Sequence, residues 1–121
     1  MATGLAAAGG NTALDAIRTD TPFIKLHIGD PGAAGTSNPA TETTRKAVTF
    51  AAASGSSMAS SADITWTSIA GSEDATHFSI WNASTSGTFK FSGTITANAF
   101  VAGDTYTIPS GSLVLTITPA S

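Results

Sequence analysis

The chain has 121 residues, no cysteine, 11% charged residues and a formal net charge of −3. One domain with one modest core is the natural outcome of this length, and disulfide staples and thiolate metal sites are excluded. An isoelectric point near 5.0 and five basic residues leave no basic patch to displace counterions, so nucleic acid is not an expected partner.

The opening "MATGLAAAGG" lacks a basic leader and is too short for a membrane span, so neither export nor a membrane partner is expected. Few charges and many Ser and Thr hydroxyls suit a protein that ends up against copies of itself or a larger surface. Residues 1–10 are too poor in large side chains to order themselves alone, which predicts an arm ordered by a neighbouring subunit. "NTALDAIR" then predicts two helical turns, capped by Asn11 or Thr12, with Asp15 early and Arg18 late.

Pro22 biases Thr21 towards extended geometry, and "PFIKLHI" alternates as a strand with Ile24, Leu26 and Ile28 inward and Lys25 and His27 outward. "TRKAVTF" predicts a second strand over 44–50 with Val48 and Phe50 inward. "AAASGSSMASSA" suits a flat edge or a loop, and "DITWT" predicts a strand with Ile64 and Trp66 on one face. "THFSIWN" places Phe78 and Ile80 on one face and His77, Ser79 and Trp81 on the other, both partly covered. "TFKFSGTI" follows with Phe89 and Phe91 inward, then "TYTI" and a final "SLVLTIT". Seven or eight short strands with turns between them predict an all-β antiparallel sandwich, jelly-roll-like, over 21–121, with an N-terminal arm and one short helix over 1–20 serving attachment.

The stretch "LHIGDPGAAGT" looks most like chemistry, but Asp30-Pro31-Gly32 is first of all a turn: Asp accepts from the backbone two residues on, Pro presets φ, Gly supplies a positive φ. His27 and Asp30 fit no zinc spacing, and no Gly-Lys-Ser/Thr ending or following helix makes a phosphate loop. Neither His27 nor His77 lies in a nucleophile context, and Asp63, Glu73, Asp74 and Asp104 are scattered, so no catalytic residue, metal or cofactor is assigned. "NAS" at 82–84 matches a glycosylation sequon and reads better as a turn. Trp66, Phe78, Trp81 and Tyr106 are candidates for a sugar platform; Trp66 and Tyr106 share faces with Ile64 and Ile108 and read as core, leaving Trp81 as the aromatic for an inter-subunit contact.

"LHIGDPG", then Arg45 with "AVTF" at 47–50, the Ala52 to Gly55 link, "THFSIWNASTSGT" and "GDTYTIPSGSLVLTI" follow in order over residues 22–117. This series resembles a recurring family of small structural proteins of tailed phages, especially those of actinobacterial hosts. The resemblance implies a non-enzymatic virion component, described as a capsid decoration or minor capsid protein or as tail-fibre-like. The leading expectation is a protein made in the host cytoplasm and displayed in many copies on the capsid surface, clamping the major capsid protein lattice as a homo-oligomer, expected to be a trimer. The alternative is a tail-fibre or baseplate module that binds a host surface glycan through Trp81 and the loops after Ser68 and Ser84. Leu5, Leu14, Ile17, Arg18, His27 and Trp81 are the residues assigned to assembly.

Overall fold

A computed structural model describes residues 6–117, apart from the side chains of 96–98. In chain order the elements are α1 (Ala7–Arg18), β1 (Phe23–His27), β2 (Lys46–Ala47), β3 (Ser57–Ala59), β4 (Ile64–Trp66), β5 (Glu73–Trp81), β6 (Phe89–Phe100), β7 (Tyr106–Ile108) and β8 (Val114–Thr116). The strands form one four-stranded sheet, ordered β2-β1-β5-β6, and two pairs, β3-β8 and β4-β7, all antiparallel. The protein is mostly β with one N-terminal helix, and among the described residues these small sheets make neither a closed barrel nor a jelly roll.

One core joins them. Ile24 and Leu26 of β1 and Phe78 and Ile80 of β5 meet Ile64, Trp66, Tyr106, Ile108, Met58 and Leu115 from the small sheets, with Leu14 of α1 fully buried among them. Trp66 and Tyr106 lie opposite one another in register and stack at 5.8 Å, so both are core, as their alternation with Ile64 and Ile108 predicts. Val48 and Phe50 are also buried, although only Lys46 and Ala47 of the expected strand pair with β1.

The helix starts at Ala7, a full turn before the expected cap, and Ala6 caps it without a side-chain hydrogen bond. Tertiary contact sets that start. A Cβ on Gly10 would stand 1.9 Å from Ser56 Oγ, so the glycine allows α1 to lie directly on the turn before β3. Asn11 Oδ1 accepts the Ser56 N–H at 2.8 Å and Asp15 Oδ1 accepts the Ala53 N–H at 3.0 Å, spending both side chains on that turn. The start of α1 is thereby seated on its own chain, with Gly10 against Ser56; residues 1–5 lie outside the described residues. Thr21 adopts φ 50° and not the extended geometry its proline favours, which bends the chain from α1 into β1.

Two irregularities hid part of the large sheet from its alternation. A register shift between Ala75 and His77 lets Ala75 and Phe78, three apart, both face the core, so β5 begins at Glu73 inside what reads as a loop. A second shift makes Ile80 pair with Phe91 and Trp81 with Phe89. Phe91 therefore stacks on Phe78 in the core, while Phe89 packs on Trp81 at the other face, in place of the shared inward face expected for the two phenylalanines.

Candidate functional site

The second face of the β1–β5 pair carries Lys25, His27, His77, Ser79 and Trp81, of which His27 and Ser79 are fully buried. His27 ends β1, after which the chain turns at Gly29 and residues 28–45 return across that face. The turn forms as its sequence dictates: Asp30 Oδ1 accepts the Gly32 N–H at 2.9 Å, Gly32 has φ 76°, and Pro31 is fully buried. Asn38 Nδ2 donates to the Asp30 carbonyl at 3.0 Å, and Ile28 N–H to the Asn38 carbonyl at 2.9 Å, closing the loop. Ile28, expected inward, is thereby left 46% exposed beyond the strand end. At Gly35 a Cβ would meet the Phe89 ring at 2.5 Å, so backbone lies directly against that ring.

His27 is fully buried, not outward, because this loop covers it. Its Nδ1 lies 2.8 Å from the Ser37 carbonyl oxygen and its Nε2 lies 2.7 Å from Ser79 Oγ, while Trp81 Nε1 lies 2.7 Å from the same oxygen. One proton arrangement satisfies every atom. The carbonyl only accepts, so Nδ1–H donates to it; the indole only donates, so Trp81 N–H donates to Ser79 Oγ, and the Ser79 hydroxyl donates to His27 Nε2. A second proton on the imidazole would turn Nε2 into a donor and leave the hydroxyl hydrogen without that acceptor. Burial pushes the His27 pKa below its ordinary value, the Ser37 carbonyl opposes this, and Lys25 and His77 on the same face add to the depression.

A serine hydroxyl 2.7 Å from a histidine nitrogen has the spacing of a nucleophile and its base. Here Ser79 is fully buried, its oxygen already takes the indole N–H, and the far side of the imidazole meets a carbonyl and not a carboxylate. Every polar atom of this hydrogen-bond series is engaged within the protein, and the series joins β1, β5 and the covering loop. His77, directly opposite His27 on β5, contacts Thr76 Oγ1 at 2.9 Å and is not part of it.

Trp81 is 8% exposed. The Arg45 guanidinium covers one face of its ring at 4.2 Å and Phe89 tilts against it at 5.4 Å, leaving no open surface on which a sugar would stack. Arg45 also donates through Nη1 to the carbonyls of Ala83 at 3.0 Å and Ser86 at 2.6 Å, tying down the loop between β5 and β6. Leu14 is in the core and Ile17 is packed against it, so both hold α1 onto its own chain. Arg18 pairs with Asp15 at 2.9 Å and, with Thr21, Pro22, Val48 and Phe50, lines an open cleft of about 440 Å³. Leu5 lies outside the described residues.

Ser79 and Arg45 were missed as site residues. The stripe His77, Ser79, Trp81 is visible in the alternation, but its pairing with His27 depends on strand register, and Arg45 is placed by the return of the long loop. Glu42 was missed too: nearly buried, it accepts the N–H groups of Ala70 at 3.0 Å and Thr44 at 3.2 Å, while Trp66 donates to the Thr44 carbonyl at 2.8 Å. Among the described residues no three His, Asp or Glu side chains gather as metal ligands, and no helix is long and apolar enough to cross a membrane.

No curated protein sequence matches the chain. Residues 5–116 match the family model described as podophage GP4 fiber I protein gp80, nearly the whole length. The chain belongs to that family, and is a non-enzymatic structural protein of the phage virion, a component of its fibre.

Proposed function

We propose that this protein is a building module of the podophage tail fibre, acting through assembly with its own copies and other virion proteins. The family match over residues 5–116 carries this reading, and it favours the fibre over the capsid surface that the sequence first suggested. The surface is suited to such contacts. Hydroxyls meet across both small sheets, Thr65 with Thr107 and Ser57 with Thr116, each at 3.1 Å, presenting groups that exchange water for protein partners at small cost.

Host-glycan recognition is the narrower form of the fibre reading. With Trp81 under Arg45, it would rest on the loops after Ser68 and Ser84, and a glycan array of the purified protein tests it. The sequence-based expectation of a trimer is tested by the mass of the assembled species in solution. The main reading is tested on purified virions with gold-labelled antibody to this chain. Label confined to the fibres is the expected result, and label distributed over the shell facets overturns it.

A further inference from the structure

The four-stranded sheet has two edges of opposite character. At one, β2 contributes two paired residues, Lys46 and Ala47, next to Arg45: a short, charged edge of the kind that resists further pairing. At the other, β6 runs twelve residues, about 40 Å of strand at the usual rise, and among the described residues nothing pairs with its outer side. Its sequence, FKFSGTITANAF, has one charge and no proline, and that charge, Lys90, is paired with Asp20 at 3.3 Å. Bulges in β6 lie at Lys90 and between Thr94 and Asn98, so it is the regular stretch Phe91–Thr94 between them that carries neither charge, proline nor bulge.

We infer that β6 pairs with β6 of a second copy, antiparallel about a two-fold axis near Gly93, fusing two sheets into one and giving a dimer in place of the trimer expected from the sequence. The strand is complementary to itself in this register. Phe91 to Thr94 is the regular stretch of its pairing with β5. With Gly93 opposite Gly93 of the second copy, Phe91 meets Ile95 and Ser92 meets Thr94, twice each by symmetry. Phe91 and Ile95 are each only partly buried against the core, so the pairing covers their remaining apolar area with an aromatic–β-branched contact. Gly93 sits beneath Phe78, where a Cβ would approach the ring at 3.0 Å, so no side chain stands out on that face at the axis. Lys90 does not face its own copy in this register, so the single charge raises no repulsion.

The inference rests on the fibre-assembly reading, and the two fail separately: label on the shell overturns that reading whatever the edge does, and a monomeric chain overturns this one wherever the label lies. The test is sedimentation of the full chain over a range of concentrations, with two double variants. Ser92→Asp with Thr94→Asp sets carboxylates against one another across the axis and should raise the dimer dissociation constant by roughly tenfold or more. Ser92→Asp with Thr94→Lys sets opposite charges there and should restore dimerisation. Because both variants carry the same change at Ser92, the second also controls for folding. Concentration-dependent protection of amides over 91–95 from hydrogen exchange should accompany the dimer. A wild-type chain that stays monomeric throughout, or two double variants of equal affinity, overturns the assignment; in the first case a strand of another fibre protein becomes the occupant to seek.

Discussion

The two faces of the β1–β5 pair are both buried, by different means. On one, Ile24, Leu26, Phe78 and Ile80 are removed from water by other apolar side chains. On the other, His27, Ser79 and Trp81 are removed by a loop, and their burial is tolerable only because each polar atom has a partner. The first face is held by area and volume, and small changes in shape cost it gradually. The second is held by a proton arrangement, and one lost group strands its neighbours. The difference explains how a stretch that looks like chemistry can belong to a structural protein: buried polar groups assembled for folding obey the same pairing rules as those assembled for catalysis.

The largest expected effect is on the apolar face. Phe78→Ala removes the ring that stacks on Phe91 and covers Gly93, and should cost about 3–5 kcal/mol in urea unfolding. On the polar face, Ser79→Ala leaves the Trp81 N–H and His27 Nε2 without their partner and should cost about 2–3 kcal/mol, although it deletes a single oxygen. If that variant lost no more than an exposed Ser→Ala change such as Ser84→Ala, the hydrogen-bond chain would not be what holds this face.

The contrast also separates what the sequence could disclose from what it could not. Ile24, Leu26, Ile64, Trp66, Phe78 and Ile80 announce themselves by alternation, because a strand with one apolar face repeats every two residues. The Asp30-Pro31-Gly32 turn is equally legible, since each residue has a local conformational reason to be there. His27 misleads because a polar residue alternating with apolar ones is ordinarily solvated; its burial depends on Ser37, ten residues on, and Ser79, fifty-two residues on. The early start of α1 was hidden for a related reason. Gly10 argues locally against helix, and only its contact with Ser56 reverses that preference.

The polar face alone should respond to mild acid. His27 has its pKa depressed in the folded protein, so below the unfolded value near 6.5 the unfolded chain takes up a proton that the native state resists. Its contribution is therefore complete above that pH and is lost as pH falls towards the folded pKa. The slope is at most about 1.4 kcal/mol per pH unit for one proton. Lys25 and His77, which face it, act in the same direction by repelling the added charge. His27→Gln should be less stable at pH 7.5 but should lose the component of the slope that begins near pH 6.5. An unchanged slope in unfolding measured between pH 7.5 and 5.5 would assign that dependence to other groups.

The smallest effect is expected at the rim of the same face, where charge is present but nothing is sealed. Arg45→Lys keeps the positive charge and loses the planar guanidinium that both covers Trp81 and reaches the Ala83 and Ser86 carbonyls. An ammonium on a flexible stem cannot span the ring and two divergent carbonyls together, so about 0.5–1 kcal/mol should be lost. The loss should be local, with amide exchange rising in the loop over 82–87 while Ser79 and His27 keep their protection, because their hydrogen bonds close beneath the ring without using Arg45. Exchange rising equally at Ser79 would mean that the guanidinium is part of the seal, and that the polar face extends to the solvent boundary as one cooperative unit.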